Sequence, residues 1–275
     1  RLADLDQLQF KYESALGKYK EAIEKLDKKS PKKDSPSAEY LEWMLEKGKT
    51  FARMALAMDQ EDKYSDSKKQ FELSIELLRS VAQEAEDKDY PMLVLSRTLA
   101  QYGDLLVRAG EVDLAISSLR ESIDLQKAQS THPQSRRTRW TTQQSLSQAL
   151  NLLGKRKEAF DMCRDILNQM ESSSDKQARE ERERRASLYI TMANLHRGDG
   201  RYLDSIDYLQ QAYDTYIRLS EESPNDPRYI LNRDMSSLDL GLIWLDLGQP
   251  NPARPLFEQS IASLEKLSTD YPLVN

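Results

Sequence analysis

Apolar residues recur along almost the whole chain at the three- and four-residue intervals of a helix face. One set comes as pairs at i, i+4: Met54/Met58, Tyr102/Leu106, Leu146/Leu150, Met192/His196 and Leu240/Trp244. A second set comes as longer stripes, Tyr202–Ile206–Leu209–Tyr213–Tyr216 and Phe257–Ile261–Leu264–Leu267. Between them lie polar stretches at 28–37, 84–90, 127–135, 171–176 and 221–227, where breakers and caps collect, as in Ser223-Pro224-Asn225-Asp226-Pro227. This pattern predicts helices alternating with short loops and turns.

The alternation is periodic. Gly110-Glu111-Val112-Asp113-Leu114-Ala115 is matched by copies opening at Gly154, Gly200 and Gly248, each with a small residue five places on. Gly17-Lys18-Tyr19-Lys20-Glu21-Ala22 is a further copy, and Asp62-Lys63-Tyr64-Ser65-Asp66-Ser67 is one without its Gly. A Gly that accepts the left-handed conformation ends one helix, and the small residue lets the next pack closely against it. Seven residues before each turn stands another small residue, Ala55, Gly103, Ser147, Ala193 or Gly241; only the first copy breaks the rule, with Phe10. These marks, at 10, 55, 103, 147, 193 and 241, are 44–48 residues apart. The chain is therefore expected to be all-α, a right-handed superhelix of about six hairpins at roughly 2–29, 38–87, 91–128, 135–172, 178–221 and 228–269. Residues 2–28 could instead form one continuous helix.

Composition agrees with an array of this kind. The 275 residues are 31% charged and 39% hydrophobic, with a mean hydropathy of −0.74, which suits hairpins that each bury a narrow stripe. A net charge of −6 argues against nucleic acid as a partner, and no apolar run is long enough for membrane insertion. The single Cys163 cannot close an internal disulfide and fits a reducing, cytoplasmic setting as a small buried hydrophobe. The opening at Arg1 and the stop after Tyr271-Pro272-Leu273-Val274-Asn275 both read as cuts in a longer protein.

With turn glycines, paired small residues and apolar neighbours in place, the chain resembles tetratricopeptide repeat proteins over about residues 2–270. The segment from Asp239 to Gly248, followed by Glu258 to Leu267 and Asp270-Tyr271-Pro272, is more particular. It looks like the repeats C-terminal to the kinase domain in large bacterial Ser/Thr protein kinases, and implies a signalling parent. The chaperone-tail clamp of some tetratricopeptide domains is not carried over, because Ala52 and Leu56 stand where its first Lys and Asn would fall.

Chemistry of the chain's own is not indicated. There is no phosphate-binding glycine loop, no lysine strand and no H-E-x-x-H; two His and one Cys far apart suggest no metal site, and no cofactor is implied. His196-Arg197-Gly198-Asp199 lacks the spacing and downstream Asn of a kinase catalytic loop and reads as a repeat turn; His132 reads as a loop residue. Arg136, Arg137, Arg139 and Trp140 could take an acidic or phosphorylated peptide, but read first as a basic helix start with the indole packed on the preceding hairpin. The run 179–185 reads as an exposed helical face with Glu180–Arg184 and Glu181–Arg185 pairs.

What remains is a binding surface. First helices are expected to line a groove, into which Arg53 and Leu56, then Arg97, Gln101, Asp104 and Arg108, then Gln144, Gln148 and Asn151, then Asn194 and Arg197 should point. Amides can pair with both groups of a peptide backbone and Arg with acidic side chains, so a protein or peptide partner is predicted. In the last copy the same face is Leu238, Leu242 and Leu245, either an anchor pocket or a surface for a following hairpin. The function predicted is a non-catalytic interaction scaffold. A sensor taking a small ligand or signalling peptide for an attached kinase domain is the alternative, and self-association through terminal hairpins a further one.

Overall fold

The computed structural model describes residues 11–31, 37–128, 133–172 and 178–270. Among them are eleven α-helices and no strand. The chain divides into two compact units, Arg1–Leu153 and Gly154–Asn275.

The first unit holds α1 (Tyr12–Lys28), α2 (Ala38–Asp59), α3 (Tyr64–Glu84), α4 (Asp89–Arg108), α5 (Val112–Ala128) and α6 (Pro133–Leu152). α2 with α3 and α4 with α5 are antiparallel hairpins; α1 packs on α2, and α6 on α5. The second unit holds α7 (Arg156–Glu171), α8 (Arg179–Gly198), α9 (Tyr202–Glu222), α10 (Pro227–Asp246) and α11 (Pro250–Asp270). Here α8 with α9 and α10 with α11 are the hairpins, and α7 packs on α8.

The turns are built as their residues require. Gly110, Gly200 and Gly248 have φ of 77°, 72° and 71°. Each donates its N–H three residues back, to Val107, Arg197 and Leu245, while the next residue donates five back, to Leu106, His196 and Trp244. This doubly bonded stop satisfies the last carbonyls of the first helix. Asp62 replaces the Gly with φ 56° and keeps both bonds, Asp62 N–H to Asp59 and Lys63 N–H to Met58. The short polar side chain of Asp tolerates this region better than most. Gly154 also has a positive φ, 78°.

Gly17 does not behave this way. It lies inside α1, with open space around its Cα, so no turn forms there. Leu16, Tyr19 and Ile23 run past it as one stripe that packs with Met54, Ala57 and Met58, and a break at Gly17 would divide that stripe. The mark at Phe10 lies outside the described residues.

Across the hairpins the small marks meet. Ser67 Oγ donates to the Ala55 carbonyl and Ser205 Oγ to the Ala193 carbonyl, each at 2.8 Å. A Cβ on Gly103 would stand 2.5 Å from Leu119 Cγ, and one on Gly241 2.6 Å from Phe257 Cε1, so bulk on the second helix fills the space that Gly leaves on the first. A second layer of small contacts follows one heptad away. Ser74 Oγ donates to Gly48 at 2.7 Å, Ser122 Oγ to Ser96 at 2.6 Å, and Ala186 shares a cluster with Ala212.

Candidate functional site

The first-helix face of the first unit is carried by α2, α4 and α6. Arg97, Gln101, Asp104 and Arg108 fall at i, i+4, i+7 and i+11 on α4, and Gln144, Gln148 and Asn151 at i, i+4 and i+7 on α6. Arg53, Arg97 and Gln148 are exposed, whereas Gln101, Gln144 and Asn151 are half-buried. Leu56 and Ala52 pack with Leu105, Phe71 and Tyr102, so these two positions are structural.

The charges on this face brace neighbouring helices. Arg108 on α4 donates to Asp59 on α2. Burial pushes the Asp104 carboxyl on α4 up, with Ser145 of α6 and Arg108 working against that shift. Arg108, expected to grip an acidic side chain of a partner, is thus already occupied within the fold. Gln101, Gln144, Gln148 and Asn151 share this face with Arg97 and Arg53.

In the second unit Asn194 on α8 is exposed. Arg197, four residues after the small mark Ala193, reaches Asp246 on α10, with Nε at 2.9 Å and Nη2 at 2.8 Å. Burial raises the Asp239 carboxyl, and Arg197 works against that shift. Arg197 therefore repeats the role of Arg108. Sequence spacing could not show either pair, since each joins residues 49 apart on different hairpins.

Other candidates resolve as follows. His196 is buried, stacked on Tyr208 at 5.3 Å and 10° and edge-on to Phe160 at 4.8 Å. Burial holds its pKa below the ordinary value, with Arg201 adding to the effect, so it is neutral near pH 7 and packs as an aromatic. Trp140 is buried, as the packed reading requires; the side chains of Arg136 and Arg137, and His132, lie outside the described residues. The run 179–185 is not an exposed face. Glu181 is buried, Arg182 makes a two-pronged pair with Glu222 of α9 at 2.7 and 2.6 Å, and Glu183 accepts from the Tyr229 hydroxyl of α10 at 3.1 Å. Packing of α9 and α10 over the start of α8 covers residues whose composition reads as solvated.

The structure adds a cleft that no periodicity announces. It opens between the second helices α3 and α5, over Leu99 and Tyr102 of α4, with a volume of about 450 Å³. Arg79 crosses it to Glu121 at 2.8 Å, and the Tyr102 hydroxyl donates to Glu72 at 2.9 Å. Among the described residues no three metal-ligating side chains converge, and no helix is long and apolar enough to cross a membrane.

No protein-family model and no curated relative matches the chain. Solved structures do. BtubC (BKLC) from P. vanneervenii is similar with a TM-score of 0.68 and 13% identity, over 94% of this chain and 92% of that one. The nearly identical TPR-like repeats of a Podosopora anserina putative kinesin light chain give 0.58 and 15%, over 80% and 95%. A Rap protein complexed with Competence and Sporulation Factor gives 0.56 and 13%, over 93% and 65%. At these identities the likeness establishes the fold, a helical solenoid of TPR-like hairpins.

Proposed function

We propose that the chain is a non-catalytic protein-binding module that holds an extended peptide against the amide-bearing face of α4 and α6. The observation carrying this reading is the division of labour on that face. Arg108 is consumed in bracing by Asp59, while Gln101, Gln148 and Asn151 carry amides able to pair with both the N–H and C=O of a peptide backbone. A Rap protein of similar fold, solved in complex with Competence and Sporulation Factor, lends support to a binding role.

The test is a peptide selection from a displayed random library on the wild-type chain. A variant with Gln101→Ala, Gln148→Ala and Asn151→Ala should bind the selected peptides about ten-fold more weakly or worse, with an unchanged helical spectrum. Equal affinity would reject this face as the site.

A second reading, a sensor for a small ligand, draws support from the cleft between α3 and α5, whose volume is in the range of small-molecule sites. A compound library screened by thermal shift discriminates the two, since a ligand of the folded state raises its stability. The tie to a bacterial Ser/Thr kinase, and with it a cytoplasmic signalling role, is supported by the phrase running from Asp239 to Leu267 and by the single cysteine. A lysine-bearing strand and catalytic loop preceding Arg1 in the parent gene would establish it.

A further inference from the structure

We infer that the last hairpin has a binding site for one buried water molecule, held between the carboxylate of Asp234 on α10 and the hydroxyl of Ser260 on α11. The second layer of small residues supplies the frame. Ser74 donates across its hairpin to the Gly48 carbonyl and Ser122 to the Ser96 carbonyl, each pair 26 residues apart. Ala186 and Ala212, at the same separation, pack in one cluster. Asp234 and Ser260 are the corresponding pair of the α10–α11 hairpin. A carboxylate therefore stands where the other hairpins carry Gly, Ser or Ala.

Both side chains are enclosed, Asp234 at 2% exposure and Ser260 at 0%. Asp234 Oδ2 and Ser260 Oγ nevertheless have no hydrogen-bond partner among the described residues. Ser260 thus does not make the bond to the opposite carbonyl that Ser74 and Ser122 make. Buried polar atoms left without partners are costly and rare, and two in one layer mark the seat of a small polar guest. The other half of the carboxylate fixes where that seat lies. Asp234 Oδ1 accepts from Arg233 Nε at 2.7 Å, and Nη2 of the same guanidinium donates to Ser263 Oγ at 2.8 Å. Ser263 is one turn beyond Ser260 on α11, so the guanidinium draws the carboxylate toward the helix that carries Ser260.

The chemistry of the two atoms selects the guest. Oδ2 only accepts, whereas Oγ donates or accepts; a water donates to the first and serves the second in either sense. A direct bond would have satisfied both atoms and is not made, and a polar gap wider than one hydrogen bond is what a bridging water fills. A cation is the weaker fit, because Arg233 already balances the charge of Asp234. With the water in place, the hairpin keeps a charged residue in a layer that elsewhere holds only small ones.

A crystal structure of the full chain, at a resolution that shows ordered solvent, tests the inference. The wild type should hold a single water within hydrogen-bond distance of Asp234 Oδ2 and Ser260 Oγ. Asp234→Ser recreates the Ser96–Ser122 pair, so Ser260 should then donate directly to the carbonyl of residue 234 and the water should be lost. Magnetic relaxation dispersion of the solvent should show one long-lived water fewer in that variant than in the wild type. A direct Ser260–Asp234 bond in the wild type, no density between the two side chains, or a peak that takes up thallous ion overturns the proposal. So does a water retained in folded Asp234→Ser. Should Asp234→Ser fail to fold, Asp234→Gly, which recreates the Gly48–Ser74 pair, replaces it under the same criteria.

Discussion

The hydroxyl of Ser205 donates to the backbone carbonyl of Ala193 at 2.8 Å, and both residues are fully buried. Twelve residues separate them, as twelve separate Ser67 from Ala55, so one contact closes two different hairpins. The Ala193 carbonyl also lies inside α8, where the helical ladder supplies a backbone N–H four residues on. Ser205→Ala should therefore cost only about 1 kcal/mol. Ala193→Leu, in contrast, must push α9 away from α8 and should cost about 2–3 kcal/mol. Urea unfolding of both variants checks the order; a costlier Ser205→Ala would make the hydroxyl, not the close approach, the essential element.

Two glycines should respond oppositely to the same substitution. Gly17 is exposed within α1 with nothing near its Cα, so Gly17→Ala should stabilise by about 0.5–1 kcal/mol through helix propensity. At Gly103 the added methyl meets Leu119 Cγ at 2.5 Å, a branch point rather than a flexible tip, so Gly103→Ala should destabilise by about 1–3 kcal/mol. Thermal melts read both. A destabilised Gly17→Ala would instead indicate a turn at that position.

The Arg197–Asp246 pair is about one-third exposed on both sides, and its worth is screened accordingly. Arg197→Ala should lose about 0.5 kcal/mol at low salt, shrinking as salt is added. The exchange Arg197→Asp with Asp246→Arg should recover more stability than the sum of the single changes allows. A double-mutant cycle with no coupling energy would reduce the pair to a surface coincidence.

His196 ties stability to pH. Its pKa is lower in the folded chain than in the unfolded one, so the unfolded state takes up the proton first as pH falls. Its contribution is full above the ordinary His value of about 6.5 and declines as the medium becomes more acidic. Nearby Asp204 and Asp199 temper this, and Arg201 reinforces it. His196→Phe preserves the stack on Tyr208 and should flatten the stability profile between pH 7 and 5. An unchanged slope in that variant would assign the effect to other groups.

Much of the fold was legible because its rules are local. Gly110, Gly200 and Gly248 end helices through bonds to residues three and five back, and a pattern of that span can be read from neighbours alone. Asp62 follows the same rule with a residue that only partly advertises it. Gly17 misled because a glycine phrase carries no record of whether the apolar stripe around it is continuous. The candidate face was legible in position but not in state. Arg108 and Arg197 stand on the expected helices, yet their partners, Asp59 and Asp246, come from hairpins 49 residues away. The run 179–185 failed for a related reason, since charge density says nothing about what α9 and α10 lay over it. The layer joining Gly48 with Ser74 and Ser96 with Ser122 was within reach, as a second small-residue mark one heptad from the first.

The two ion pairs between hairpins have opposite polarity in one register. Asp59 on α2 meets Arg108 on α4, whereas Arg197 on α8 meets Asp246 on α10. Were α10 to follow α2, Asp59 would face Asp246; were α4 to follow α8, Arg197 would face Arg108. Like charges at either junction repel, so the hairpins are not interchangeable modules despite their common turn and core. The charges act as an address written on each junction, making sequence order a property that the folded array itself enforces.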